Sequence, residues 1–594
     1  MKRILSLALA AVMMLSLAAC GSKEDPAPST SSAGSAAVST PVQEPVGPKT
    51  MRVAENVAPT NLHGLIGVQN ADAHIQNMIH ANLYQGIPTD GVSILTPVLA
   101  EGEPVDVNGD GTVWNIKVSP NAKWENGEAM NADTFVYSMK MALDPNLLFA
   151  RANYNADNHI PIKNAVAYYT QVSTGVAVAW EDVGVKKVDE MTIQITTESP
   201  VTADLVKRHF SLVATSPVYE PLFEQCLSAD RTTTTYGSSA DTIISSGAFK
   251  VSNWVIGAVC ELEKNEYFPL ADQVNLDTFT QTVVEDANTQ LQMFEAGELD
   301  YVEMTIEALE QYGDDPRVVS AADAYTRTID FCDTNTDEPI LANENFKKAI
   351  FYATDRATIT KLSGDLPATG FVTPVCKASS DGTTFRTVAA EAGYEPENYG
   401  YDPALAKEYF DKALAEEGLT SVEISLLCNS GNADHAVISE FIQEDWAKIF
   451  GADRFKLVID AQPSKQQLAQ KKSCKENPKA YELTISDWGR TNCLYDPVRA
   501  IEVYTSTFAT RNAPYHNDQI DAIFAEANLS ENRLDMEKRV ELTMQAEQEM
   551  LASAMSIPVL YNAKYSMIAD HIVVTMDAYD IEINWAWAFA DIAQ

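Results

Sequence analysis

The chain has 594 residues, of which 46% are hydrophobic and 9% aromatic, and its 83 acidic against 42 basic side chains give a formal net charge of −41. That balance argues against nucleic acid or an anionic lipid surface as a partner, since both require clustered Lys and Arg, and it favours cationic ligands. The body of about 545 residues exceeds what one hydrophobic core organises, so two or three subdomains are expected.

Lys2 and Arg3 precede an apolar run, Ile4 to Leu17, that ends in Leu17-Ala18-Ala19-Cys20-Gly21. The run is too short and too early to span a bilayer and reads as a secretory signal. Its last five residues resemble the lipobox of bacterial lipoproteins, which implies that residues 1–20 are a signal peptide and that Cys20 carries the lipid. More than one acyl chain on that cysteine would anchor the protein stably to the outer face of the cell membrane. Residues 21–49 are rich in Ser, Ala, Pro and Thr, bury too little to offset ordering, and are expected to form a disordered tether reaching roughly 30 Å. Downstream of this tether no apolar run has spanning length.

Within the body, Met51–Ala54 reads as a strand, Gly67-Val68-Gln69-Asn70 as a loop, and Ala73–Leu83 as a helix. His74 and His80 lie six positions apart, about 240° round a helix, so they do not form a metal-binding pair on one face. Asp106, Asn108 and Asp110 match the start of a calcium loop, but the twelfth position is Lys117 where a bidentate Glu is needed. A turn rich in Asn-Gly and Asp-Gly accounts for the same residues without metal. Val113–Val118 alternates as a strand, and Asn131-Ala132-Asp133 caps a helix. Cys226, Cys260, Cys332, Cys376, Cys428, Cys474 and Cys493 are odd in number and widely spaced, and leave the disulfide state open.

Further on, Asp402-Pro403 opens an amphipathic helix closed by Gly418, and Val437–Phe450 repeats the pattern before Gly451. Strand-like runs follow each, Val422–Leu427 and Phe455–Ile459. Asp518–Ala527 and Arg533–Ala552 are two more helices, and Ile557–Ile568 returns to strand. The fold class is α/β.

Between the second strand-like run and those last helices lies Tyr481–Pro497, which combines two characters. Leu483 and Ile485 alternate with Thr484 and Ser486 as a half-buried strand. Asp487, Trp488, Arg490, Asn492 and Tyr495 then crowd charge, aromatic surface and hydrogen-bonding amide into nine positions, a mixture that suits a ligand wall.

Several motifs in order carry a resemblance. Asn82-Leu83-Tyr84-Gln85-Gly86-Ile87, Thr96-Pro97-Val98-Leu99-Ala100, and Lys123-Trp124-Glu125-Asn126-Gly127-Glu128 are followed by Gly247-Ala248-Phe249-Lys250, Gly297-Glu298-Leu299-Asp300 and the Asn345–Ile359 helix. Together they resemble the family-5 extracytoplasmic solute-binding proteins, the peptide and oligopeptide receptors of ABC importers, over about residues 50–594. The resemblance implies a two-lobed periplasmic-binding-protein-like fold of the large class. Lobe I would comprise residues 50–325 and 556–594, with an extra subdomain at about 96–215, and lobe II residues 326–555. Hinge crossings would lie near Tyr325–Phe331 and Ala554–Tyr561. It implies a monomer that captures a peptide and hands it to transporter permeases, with no cofactor and no catalysis. No G-x-S-x-G, H-E-x-x-H or Walker motif is present in the sequence. An exported hydrolase is the reading from another class. A peptide sensor, or a receptor for a sugar, metal chelate or cationic solute, keeps the same fold.

By the same resemblance, Val68 and Gln69 offer backbone groups to an extended ligand, and Trp488 and Gly489 face them, with Asp487, Arg490, Asn492 and Cys493 nearby. The pattern departs at one point. Counting four positions back from Pro497, where the peptide receptors place an amine-capturing Asp, gives Cys493. Asp487 or Asp496 are the carboxylates near enough in sequence to replace it.

Overall fold

A computed structural model describes residues 47–594 other than 68–69, 150, 158, 335–336, 475–476, 490–492, 507, 509–516, 578, 581–584 and 594. The signal peptide, Cys20 and the tether up to residue 46 lie outside the described residues, as do Val68, Gln69, Arg490 and Asn492.

Helix ends follow local chemistry. Asp402 accepts the Ala404 and Leu405 N–H groups at 3.1 and 2.9 Å, Pro403 opens the helix Pro403–Glu417, and Gly418 ends it at φ +67°. Ala433–Phe450 begins four residues before its expected start because the Asn432 side chain accepts the His435 N–H. The helix expected over Ala73–Leu83 is Asn70–Ile79. Its Ile79 carbonyl is taken by the Ser246 and Gly247 N–H groups at 3.0 and 2.8 Å, so the chain leaves helical geometry there and enters the hairpin Tyr84–Thr89/Val92–Pro97.

Among the described residues the main sheet has eleven strands. Ten run in the order Phe455–Gln462, Val422–Asn429, Leu483–Gly489, Val318–Phe331, Ser556–Ile568, Tyr301–Glu303, Thr50–Glu55, Thr278–Val283, Val259–Lys264, Phe249–Val255, and Leu366–Pro367 pairs beside Ser556–Ile568. Parallel pairs join Val422–Asn429 to both of its neighbours and Thr50–Glu55 to both of its own. A separate four-stranded sheet, Val105–Asp106, Val113–Lys117, Thr192–Thr196 and Val185–Lys187, lies within the segment expected to form an extra subdomain.

Two large hydrophobic cores flank the middle of the main sheet. One gathers residues between Met51 and Phe279 together with Tyr301 and the C-terminal Ile568–Ala590. The other runs from Ile329 to Leu560 and includes Phe346, Phe410, Trp446 and Ile485. The long antiparallel strands Val318–Phe331 and Ser556–Ile568 pass between them. These strands pair over Val318–Ala322 and again over Thr326–Asp330, with register shifts between Ala322 and Thr326 and between Arg327 and Thr328. Tyr325–Phe331 and most of Ala554–Tyr561, the expected crossings, lie in this pair.

Asp365 sits against it. Its carboxylate accepts the Ala563 N–H at 3.0 Å and the Ser363 hydroxyl at 2.7 Å, and burial outweighs these donors and pushes its pKa up to about 6. The folded protein then holds a proton that the unfolded chain releases between about pH 4 and 6, so stability falls as pH rises through that window. Asp365→Asn, which still offers an acceptor to Ala563, is expected to raise stability at pH 7 by about 1–2 kcal/mol and to flatten the pH 4–6 slope, read from urea midpoints across that range. An unchanged slope would show that Asp365 is ionised throughout.

The Asp106 turn is satisfied by its own backbone. Asp106 accepts N–H groups from Asn108, Gly109 and Gly111 at 3.2, 2.9 and 2.7 Å, and Asp110 accepts the Thr112 N–H at 3.0 Å. Of the seven cysteines after Cys20, all but Cys226 are buried.

Candidate functional site

Leu483–Gly489 is a central strand, not a half-buried one. Leu483, Thr484, Ile485 and Ser486 are all 0–1% exposed, because Val422–Asn429 and Val318–Phe331 flank the strand and elements cover both faces. Thr484 tolerates this burial by donating its hydroxyl to the Leu427 carbonyl at 3.0 Å. The register sets Asp487 directly opposite Arg327, Trp488 opposite Thr326 and Gly489 opposite Tyr325.

Asp487 therefore has a protein cation beside it. Arg327, 4% exposed, donates from Nε to Asp487 Oδ1 at 2.6 Å and from Nη1 to Asp434 Oδ2 at 2.7 Å. His435 Nδ1 accepts the Asn429 N–H at 3.1 Å, which leaves the ring proton on Nε2, 3.7 Å from Asp487 Oδ2. Partial burial works against the Asp487 charge, but His435 and Arg327 outweigh it and hold the carboxyl well below the usual carboxylate range. The side chain is still 37% exposed. Its charge is compensated within the protein, unlike the open ligand anchor expected from the sequence.

The next residues turn inward. Cys493 is 2% exposed and packs with Val372, Cys376, Phe385 and Val540, while its carbonyl accepts the Cys376 thiol at 2.7 Å. The position expected to meet a ligand amine thus belongs to a core. Asp496, 1% exposed, forms a two-pronged ion pair with Arg539 through contacts of 2.7 and 2.8 Å. It is structural.

On the expected opposite wall, Gly67 is fixed in place. A Cβ there would stand 2.1 Å from the Asn61 carbonyl oxygen and 2.4 Å from Gln76 Nε2, and that buried amide bridges Asn61 O and Gly67 O at 3.1 and 3.3 Å. The chain entering Val68 is held by its backbone.

A cavity of about 280 Å³ opens elsewhere along the same stretch. Val92 and Ser93 of the hairpin, Ala321 and Ala322 of the long strand, Val375 and Lys377, Leu494 and Tyr495, and Met576, Tyr579 and Asp580 contribute to its wall. The first core, through Met576 and Tyr579, and a small cluster of Val375, Leu494 and Tyr495 therefore meet round it, next to the register shift at Ala322. Lys377 Nζ reaches the Ser93 carbonyl at 3.1 Å, the Tyr495 hydroxyl at 3.3 Å and Asp580 Oδ2 at 3.5 Å, and lies 5.0 Å from the Tyr495 ring centroid. Burial disfavours its charge, but Tyr495 and Asp580 more than offset this and raise its pKa. Beyond the ring, 5.7 Å from its centroid, stands the Arg208 guanidinium, which burial pushes down to about 10. Among the described residues of the expected site, none lines this cavity, whereas Leu494 and Tyr495 of Tyr481–Pro497 do. Lys377 and Asp580 carry no local sequence signal, since 203 residues separate them.

The model for bacterial extracellular solute-binding proteins, family 5 middle, matches residues 95–509. The chain is 26% identical over 549 residues to the dipeptide-binding protein DppE of Bacillus subtilis (strain 168), covering 91% of this chain and 92% of that one. It is 28% identical over 496 residues to the oligopeptide-binding protein OppA of the same organism, covering 78% and 83%. Among solved structures, the unliganded open form of the periplasmic murein tripeptide binding protein MppA superimposes with a TM-score of 0.73 at 19% identity, over 92% of this chain and 98% of that one. Peptide-bound OppA of Listeria monocytogenes gives 0.61 at 20% identity, over 92% and 100%. These two likenesses speak to the fold, a periplasmic-binding-protein-like α/β architecture. With the family model spanning well over half of its length, the protein belongs to the family-5 bacterial extracellular solute-binding proteins.

Proposed function

We propose that this protein is a lipid-anchored receptor, held outside the cell membrane through Cys20, that captures a peptide in a cleft between two lobes and delivers it to the permeases of an ABC importer. The observation that carries this reading is the cavity beside the paired strands Val318–Phe331 and Ser556–Ile568, walled by Met576 and Tyr579 of the first core and by Val375, Leu494 and Tyr495 of a small separate cluster. Closure about that pair would enclose a ligand on all sides and present a changed surface to a transporter. Lobe I takes residues 50–325 and 556–594, and lobe II residues 326–555. Curated relatives named for dipeptide and oligopeptide binding support a peptide as the cargo.

Asp487, Trp488, Gly489, Arg490, Asn492 and Cys493 on one side and Val68 and Gln69 on the other would extend the ligand wall, as the family resemblance implies. The protein carries out no catalysis; the transporter's ATPase does the chemical work. Native mass spectrometry of protein purified from its own cells tests the reading: a retained peptide mass supports it, and a retained sugar or metal chelate overturns it. Incubation with peptides should leave them uncleaved. Trp488→Ala is expected to weaken binding of the retained ligand about thirtyfold, close to 2 kcal/mol, by removing an aromatic plane. Calorimetry showing equal affinity would take Trp488 out of the site.

A further inference from the structure

Four of the six buried cysteines stand in two couples, each inside a small core of its own. Cys332 and Cys474 pack with Leu427 and Tyr481 in one, and Cys376 and Cys493 with Val372, Phe385 and Val540 in the other. In the first couple the two sulfurs are in hydrogen-bonding contact, which together with burial pushes the Cys332 thiol up. In the second, Cys376 donates to the Cys493 carbonyl at 2.7 Å and its sulfur also meets that of Cys493. The next residues bond in the same register, the Lys377 N–H to the Leu494 carbonyl at 2.8 Å. From sulfur contact, closing to the bonded length of about 2 Å is chiefly a matter of side-chain rotation.

Position gives each bond a task. Cys474 follows the helix Ser464–Ser473, whose one large aliphatic residue, Leu468, is 43% exposed. That helix reaches the main sheet through Gln467 and Lys471, which donate to the Ile485 carbonyl at 3.1 and 3.4 Å. So short and polar a helix gains little from burial, and a covalent tie at its end supplies an attachment that its own sequence lacks. Cys376 and Cys493 adjoin Val375 and Lys377 on one segment and Leu494 and Tyr495 on the other, all four of which line the cavity. A bond there locks the two segments side by side.

We propose that Cys332–Cys474 and Cys376–Cys493 are two disulfide sites, closed during folding outside the membrane by exchange with a donor disulfide, while Cys226, Cys260 and Cys428 remain thiols. One cysteine thiolate attacks the donor's S–S bond and displaces a thiolate, and its neighbour then attacks the mixed disulfide and displaces the second. The donor leaves as two thiols, having taken up two electrons and two protons for each bond formed. Closure precedes burial, because all four cysteines are at most 2% exposed in the folded chain and apolar surroundings disfavour the thiolate. Export to an oxidising compartment is what the step requires, whatever the ligand.

Two arms test this on the full chain. In one, unfolded and reduced protein is refolded in oxidised and reduced glutathione; in the other, folded and reduced protein is held with diamide, which is reduced to a hydrazine as a disulfide forms. Thiols left over are alkylated in denaturant at low pH, and linked proteolytic peptides are read by mass spectrometry. The two couples are expected to be linked roughly tenfold or more above their level in chain oxidised in urea, where loop entropy alone governs pairing. Cys226, Cys260 and Cys428 should carry the alkyl label. Cys332→Ser should leave Cys474 alkylated and the Cys376–Cys493 link intact, and Cys376→Ser the converse. Either couple found alkylated in both arms, or joined mainly to other cysteines, overturns that site. The wild-type maps stand whether or not a variant folds.

Discussion

Asp496→Asn is expected to destabilise the protein by about 3–5 kcal/mol, because it strips the Arg539 guanidinium of its anionic partner in a place water does not reach. Both side chains are nearly inaccessible, at 2% and 5% exposure, and Arg539 donates to both carboxylate oxygens as well as to the Ala527 carbonyl. Asn presents one acceptor and an NH2 group, so one guanidinium bond is lost and a donor is set against a donor. The pair ties the short helix Val498–Glu502 to Met536–Ser553, within a core that includes Val498, Ile501 and Leu542. The expected readout is a large fall in urea midpoint, with ligand affinity of the remaining folded fraction unchanged. A stable variant with weakened affinity would instead make Asp496 a ligand residue.

Arg327→Met should have a comparable effect by the opposite route, removing the cation and leaving two carboxylates, Asp434 and Asp487, to face each other. A loss of about 3–4 kcal/mol at pH 7 is expected, with the methionine filling most of the vacated volume. The acid side changes as well. In the wild type the folded-state pKa of Asp487 lies below its unfolded value, so its contribution is complete above the ordinary carboxylate range and is lost progressively as pH falls from that range through the depressed folded value. Without Arg327 only His435 still favours the Asp487 carboxylate while Asp434 opposes it, so the depression shrinks and the variant should lose less stability than the wild type between pH 5 and pH 3. Adding Asp487→Asn to Arg327→Met should recover part of the loss. If the double variant is no more stable than the single one, the two charges are not coupled.

What the sequence discloses here depends on how far apart the interacting groups lie along the chain. The cap at Asp402, the turn at Gly418 and the strand Val422–Asn429 are local events, and their residues announce them. The site is different. Alternation of Leu483 and Ile485 with Thr484 and Ser486 looks like one dry and one wet face, but a strand with neighbours on both edges and cover on both faces buries all four. Asp487 reads as an available charge because Arg327 lies 160 residues away, and Lys377 reads as an ordinary lysine because nothing nearby mentions Asp580. Cys493 shows the limit of counting along a motif. The count finds the loop, while the direction of a side chain within it depends on Cys376 and Phe385, contributed by another segment.

The long strands Val318–Phe331 and Ser556–Ile568 are bonded to each other above and below their register shift. Neither can bend alone without tearing ladder bonds that the other must share. Their ladder slips twice, between Ala322 and Thr326 and between Arg327 and Thr328. Under the closure proposed above, motion between the two ends of the sheet would be reduced to something like a single stiff axle. A receptor built on such a joint would report cargo to its partner as a yes or a no, with few half-closed states to be misread.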